Sequence, residues 1–302
     1  MNLNNIDLRL LQVFRAVVEA GGFTNAQAVL NISQSTISNH MAQLEGRLGF
    51  RLCDRGRSGF SLTAKGERFY HHVVAFFQSV QAFQAKAAEL RGGLAGDLRL
   101  GIIDNLITDP QCPLPQALAL FYAQPDNSVR IALQVLAPQE LEKEVLNHTL
   151  DAAIGVFYSR VPGLCYEPLY RERDVLVCAA GHPLARLDDP RELAAAIPSA
   201  RKVARTFMRQ QEFPVSSADD DSVVASVASV EAAAMLILNG PFIGFLPRHY
   251  ARQWLEAGQL VELLPNKFVR YTPISLVTRE ARQSPTSALK VFLNCLELRQ
   301  AA

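Results

Sequence analysis

SQSTISNHMAQLEGRL, residues 33–48, is the stretch on which the fold of this chain turns. Ile37, Met41, Leu44 and Leu48 recur at spacings of four, three and four. At about 100° per residue they form one stripe of a helix, which must face a core. Ser35, Ser38, Asn39 and Ala42 fall on the opposite side. A helix face that is merely solvated usually carries Lys and Glu in i,i+4 pairs, and this one is short, polar and nearly free of charge. With Gln34 and Thr36 at its start, it suits close approach to base edges in a DNA major groove. There amides pair with adenine, and hydroxyls donate or accept as the base requires. Ser33 is placed to cap the helix.

The flanks supply the rest of a reading head. Upstream, Leu8, Leu11, Phe14, Val17 and Val18 mark an amphipathic helix that breaks at Gly21-Gly22. Thr24 is expected to cap a second short helix, so two helices joined by a tight turn give a helix-turn-helix. Downstream, FRLCDRGRSGFSLT (50–63) reads as a hairpin with strands Phe50–Arg55 and Phe60–Thr63 around Gly56-Arg57-Ser58-Gly59. Arg55 and Arg57 at its tip are candidates for phosphate or minor-groove contact. Residues 1–91 carry +4 against −3 for the remainder, a modest excess in the expected place.

Thr63 opens a long helix. Phe69, Val73, Phe76, Val80, Phe83, Ala87 and Leu90 follow a 4-3 alternation, which predicts a dimerising coiled-coil seam. A dimer would present two reading heads to an inverted-repeat operator. Gly92, Gly93 and Gly96 end the helix as a hinge.

These residues resemble the LysR-type transcriptional regulator family. The shared features are the SQ-x-x-I-S start of the reading helix, LE-x-x-LG at its end, RL-x-x-R into the wing and LT-x-x-G into the linker. The resemblance extends over the whole chain, including GFLPRHY (244–250). It implies a winged helix-turn-helix head, a linker helix and an α/β sensing domain similar to type 2 periplasmic binding proteins, usually assembled as a tetramer. Two departures stand out. Asn39 sits where the family commonly has Arg, which bears on base preference. The first sensing loop reads IIDNL (102–106), where a Ser or Thr commonly meets an effector carboxylate.

The C-terminal sequence alternates strand and helix: DLRLGII, LPQALALFYAQ, VRIALQVL, PQELEKEVLNHTL and DAAIGVF. This order predicts a parallel sheet with crossover helices, and such sheets bind ligands at the carboxyl ends of strands. YEPLYRERDVLVCAAGHPLA begins a second subdomain. Its helix is read as SVVASVASVEAAAMLILNG, followed by the strand PFIGFLP, and YTPISLVTR returns to the first subdomain. The expected divisions are 1–63 for the DNA-binding domain, 64–92 for the linker and 93–302 for the effector domain. Within the last, subdomain I takes about 97–161 and 270–302, and subdomain II about 166–267. Crossings near Val161–Cys165 and Lys267–Tyr271 leave a cleft that can close on a ligand. Effector candidates are Asp104 and Asn105 after the first strand, Pro138 and Gln139 after the second, and Phe157 after the third. Facing them are Thr206, Phe207, Ser226 and Ser229.

Other classes fare poorly. Five scattered cysteines form no CxxC pair, and the six histidines show no constellation with Cys or carboxylates, so neither metal nor cofactor is expected. P-loop, GxGxxG, GxSxG and HExxH motifs are missing, and no enzyme is expected. The start shows no signal-peptide pattern and no eighteen-residue apolar run occurs, so the expected compartment is the cytoplasm. The expected partners are operator DNA, a small-molecule effector, further copies of the chain and RNA polymerase. The rival reading is a cytoplasmic solute-binding protein whose first ninety residues serve only oligomerisation.

Overall fold

A computed structural model describes residues 5–56, 59–89, 93–208, 213, 222–280 and 286–300. The chain divides into two compact units: 1–86 with 147–149, and 87–146 with 150–302.

The N-terminal unit stacks α1 (Asn5–Glu19), α2 (Phe23–Leu30) and α3 (Gln34–Leu48) on a hairpin of β1 (Cys53–Gly56) and β2 (Gly59–Leu62), and continues into α4 (Ala64–Glu89). The stripe of α3 is buried as its spacing requires: Ile37, Met41 and Leu44 are fully enclosed with Phe14, Val17 and Leu52. The second helix begins one residue before the expected cap. Gly22, at φ 146° and open to glycine but not to side chains, takes the cap position instead of Thr24. This turns Phe23 inward, edge-on to Phe60 of the hairpin at 6.0 Å.

The seam along α4 divides. Phe69, Val73 and Phe76 pack on the unit's own core, where Phe14 meets Phe69 at 5.8 Å and Tyr70 at 6.3 Å. Farther along, Phe83 is 72% exposed. The 3.5-residue period therefore reflects intradomain packing over its first turns, a correction to the expectation of one continuous dimer seam. Leu90 lies outside the described residues.

The C-terminal unit is built on one nine-stranded mixed sheet. Its first part has β3 (Asp97–Ile102) between the parallel neighbours β4 (Arg130–Val135) and β5 (Ala152–Gly155), with α5 (Leu114–Tyr122) and α6 (Pro138–Leu146) as crossovers. Two long antiparallel strands, β6 (Leu164–Ala179) and β11 (Val269–Arg279), run the length of the unit. One end of β11 pairs with β5, and the opposite end of β6 pairs with β9 (Ile243–Pro247). The passages between the two halves of the sheet thus lie inside these strands, near a bulge at Ile274/Ser275.

The second half adds α7 (Pro190–Ala196), β7 (Lys202–Arg205), β8 (Val223–Val227), α8 (Val230–Asn239), α9 (Arg248–Glu256) and β10 (Leu260–Glu262), and α10 (Ser287–Gln300) closes the first half. The helix expected from Ser222 is corrected. Val223–Val227 is a strand parallel to β7, and the helix starts only at Val230. VVASV alternates, its β-branched residues favour the pleat, and Ser229 stops it with a cap. Among the described residues no helix is long and apolar enough to cross a membrane.

Candidate reading helix and effector cleft

The outer face of α3 is presented as the sequence implies. Gln34, Ser35 and Asn39 are exposed, and Ser38 is half-buried. Thr36 is partly drawn inward: its backbone N–H donates to Ser33 Oγ at 3.2 Å, and its hydroxyl lies 2.8 Å from the same atom. Ser33 also meets Ser35 Oγ at 2.8 Å, so the start of the reading helix is a cluster of hydroxyls.

Four motif residues hold that helix to the wing. Glu45 Oε1 accepts from Leu52 N at 2.7 Å and from Cys53 N at 3.3 Å, satisfying two amides at the entry to β1. Gly49 reverses the chain at φ 75°. Thr63 Oγ1 donates to Arg51 O at 2.9 Å and accepts from Gly66 N at 2.9 Å, capping α4. Gly66 is required by contact: a Cβ there would lie 1.9 Å from Leu52 O. The expected hairpin pairs Gly56 with Gly59, and Arg55 lies on β1 opposite Phe60. Arg57 lies outside the described residues.

In the C-terminal unit the loop after β3 reaches across to the second half. Asp104 does not cap its own turn. Its Oδ2 accepts from Val230 N at 2.6 Å, at the first turn of α8, while Ser229 Oγ accepts from Ala232 N at 3.2 Å. Two acceptors thus fill the amide end of one helix, one from each half of the sheet. Asn105 adopts left-handed φ 60° and donates from Nδ2 to Glu172 Oε1 at 3.2 Å.

The other sequence candidates scatter. Pro138 is buried and Gln139 exposed at the start of α6. Phe157 packs edge-on against Tyr166 at 5.7 Å and joins the first half's apolar core. Thr206 is exposed, with its N–H donating to Val227 O at 2.8 Å. Phe207 lies 5.9 Å from the Arg205 guanidinium. Ser226 is exposed on β8 rather than on a helix.

What the sequence reading missed is the polar floor on β6 and β11. Glu172 stands opposite Thr272, and Asp174 opposite Arg270, so all four share one face of the sheet. Asp174 Oδ2 accepts from Arg270 Nη2 at 2.6 Å and Nε at 3.0 Å, from Thr272 Oγ1 at 2.7 Å and from Arg205 Nη2 at 3.3 Å. Burial alone would raise the Asp174 carboxyl, but Arg205, Arg270 and Thr272 outweigh it and hold it below the usual range. Glu172 goes the other way. Burial pushes it up, Asp174 adds to the push, and a hydrogen bond with His249 opposes it. Tyr158, whose hydroxyl is engaged with Thr272, is also raised, first by burial. The available signal was RERD (171–174) inside an apolar strand, where period-two alternation sends Glu172 and Asp174 to one face.

His249 is a further correction, because the sequence showed no histidine constellation. Its Nε2 lies 3.0 Å from Glu172 Oε1 and 3.4 Å from Asp109 Oδ2, and its Nδ1 lies 2.8 Å from Thr108 Oγ1.

Comparison with known proteins agrees with this architecture. Residues 8–67 match the model of the bacterial regulatory helix-turn-helix proteins of the lysR family, and residues 91–300 match that of the LysR substrate binding domain. The chain is 38% identical over 301 residues to the HTH-type transcriptional activator BauR of Pseudomonas aeruginosa, covering 97% of this chain and 95% of that one. Among solved structures, CbnR, a LysR family transcriptional regulator, superposes with a TM-score of 0.63 at 21% identity, covering 98% of this chain and 99% of the other. ArgP from Mycobacterium tuberculosis gives a TM-score of 0.63 at 18% identity, covering 98% and 97%. The head, the two-part sheet and these matches lead to one conclusion: this chain belongs to the LysR family of bacterial transcriptional regulators.

Proposed function

We propose that the chain binds an interrupted inverted-repeat operator through α3 and the wing, and that a small molecule in the C-terminal cleft changes its output. The observation that carries the DNA reading is the uncharged face of Gln34, Ser35, Ser38 and Asn39, backed by the buried Ile37, Met41 and Leu44. Side-chain amides and hydroxyls read base edges, while Arg55 and Arg57 contribute phosphate contacts. The working divisions are 1–63 for reading, 64–92 for the linker and 93–302 for sensing. No catalytic role is assigned.

The cleft reading rests on the floor of Glu172, Asp174, Arg205, Arg270 and Thr272, with the loop of Asp104 and Asn105 above it. Charges of both signs stand there, and Asp104 occupies the amide end of α8. An effector whose anionic group sought that helix end must displace Asp104. The loop therefore favours an effector that offers an amine, guanidine or hydroxyl. Pro138, Gln139, Phe157, Thr206, Phe207, Ser226 and Ser229 stay as outer candidates; Ser229 already caps α8 and Phe157 is largely core.

Assembly into dimers or tetramers is supported by two exposed apolar features. One is Phe83 on the far part of α4; the other is the sheet edge β4 with Leu133 and Val135 uncovered. Contact with RNA polymerase would follow DNA binding. Fluorescence anisotropy against the DNA upstream of the chain's own gene tests the reading: salt-sensitive, sequence-selective binding supports it. Binding equal to that of scrambled DNA contradicts it.

A further inference from the structure

Asp109, Glu172 and His249 come from three different elements: the loop after β3, the middle of β6 and the start of α9. One ligand-type atom from each lies within 4.8 Å of the other two. Asp109 and Glu172 are buried, and the His249 side chain is 10% exposed. We propose that this triad binds a divalent first-row metal ion.

The tautomer of His249 follows from the proton on Thr108. Its hydroxyl donates to Asn105 O at 3.1 Å, so its oxygen is left to accept from His249 Nδ1–H at 2.8 Å. That hydrogen bond fixes the ring, as the outer partner of a metal-bound histidine does. Nε2, which carries a lone pair in the neutral ring of that tautomer, then faces Glu172 Oε1 and Asp109 Oδ2, 3.0 and 3.4 Å away. Three potential ligand atoms converge where water is largely excluded, an arrangement that a proton or a cation must hold together. A proton on Nε2 serves one carboxylate oxygen at a time; a dication serves all three atoms.

The spacing agrees. Ligands about 2.0–2.1 Å from a tetrahedral zinc ion lie about 3.3 Å from one another. One imidazole nitrogen and two carboxylate oxygens form a mixed donor set suited to zinc and its neighbours. One neighbouring polar atom also lacks a partner among the described residues. Asn105 Oδ1, on the amide that touches Glu172, is buried and unpaired.

The site shares Glu172 with the cleft floor but draws its other two donors from the loop after β3 and from α9, and it does not depend on the identity of an organic effector. By joining the Asp104–Asp109 loop to β6 and α9, a bound ion would fasten the two halves of the sheet.

The test uses the full chain, stripped with chelator and titrated with zinc chloride by calorimetry. One equivalent should bind with micromolar or tighter affinity. Asp109→Asn, Glu172→Gln and His249→Gln should each weaken it at least thirtyfold. His72→Ala, which removes an exposed imidazole elsewhere, should leave it unchanged. Anomalous diffraction from zinc-soaked wild-type crystals decides the matter even if a variant fails to fold. A peak within bonding distance of His249 Nε2 and both carboxylates is expected. No peak at that position, or zinc binding retained by all three variants, overturns the proposal.

Discussion

Replacing Asp174 with Asn removes one negative charge from a place where the chain has buried two positive ones. Asp174 and Arg205 are 0% and 2% exposed in their side chains, and Arg270 is 15% exposed. Four hydrogen bonds converge on a single oxygen, Oδ2. An amide in its place keeps the shape but removes the carboxylate that both guanidiniums share. Breaking a buried pair by removing one partner costs about 3–5 kcal/mol. Because Arg270 is partly screened and lies over Phe245 at 4.7 Å, the lower half of that range, about 3 kcal/mol, is expected.

Urea unfolding followed by fluorescence of Trp254 reads this half of the unit directly. It is the chain's single tryptophan and packs against the core that contains Val175. The sign with pH follows from the depressed carboxyl. Its contribution is complete above the unfolded value of about 3.9 and is lost as pH falls through the lower folded value. The variant should lack that acid-dependent part. Stability within about 0.5 kcal/mol of wild type, the scatter of neutral surface changes, would refute this account of the cluster.

Other consequences are more local. Gly66→Ala drives a Cβ into Leu52 O at 1.9 Å, so the N-terminal unit should lose about 1–3 kcal/mol in thermal unfolding. Val73→Asp buries a charge in that unit's core and should unfold it. Phe83→Asp should leave circular dichroism unchanged while lowering the mass seen by light scattering. Asp104→Ser frees the first amide of α8, so by calorimetry a simple dicarboxylate should bind more tightly than to wild type; unchanged binding would remove Asp104 from the cleft.

The head was legible in the sequence because its determinants are local. The stripe of α3, the Ser33 cap and the paired glycines of the hairpin each lie within one short segment. The motif residues Glu45, Thr63 and Gly66 act over at most a dozen or so positions, closing the helix-to-wing junction. The linker seam misled because a heptad can be satisfied by the domain itself, as Val73 shows. VVASV misled because a capped helix follows it directly. The polar floor was invisible for another reason. Asp174 finds Arg270 across 96 positions, and Glu172 finds His249 across 77. An isolated charge in a strand reads as a solvated one until its partner is located.

The central claim, that α3 reads DNA, is tested most directly by Asn39→Ala and Ser38→Ala in anisotropy titrations of cognate and scrambled duplexes over a salt series. The account predicts that each variant loses discrimination by about 1–3 kcal/mol while keeping the wild-type salt slope, because these side chains meet bases rather than phosphates. If both variants keep wild-type affinity and selectivity for the cognate duplex, α3 is not the reading helix.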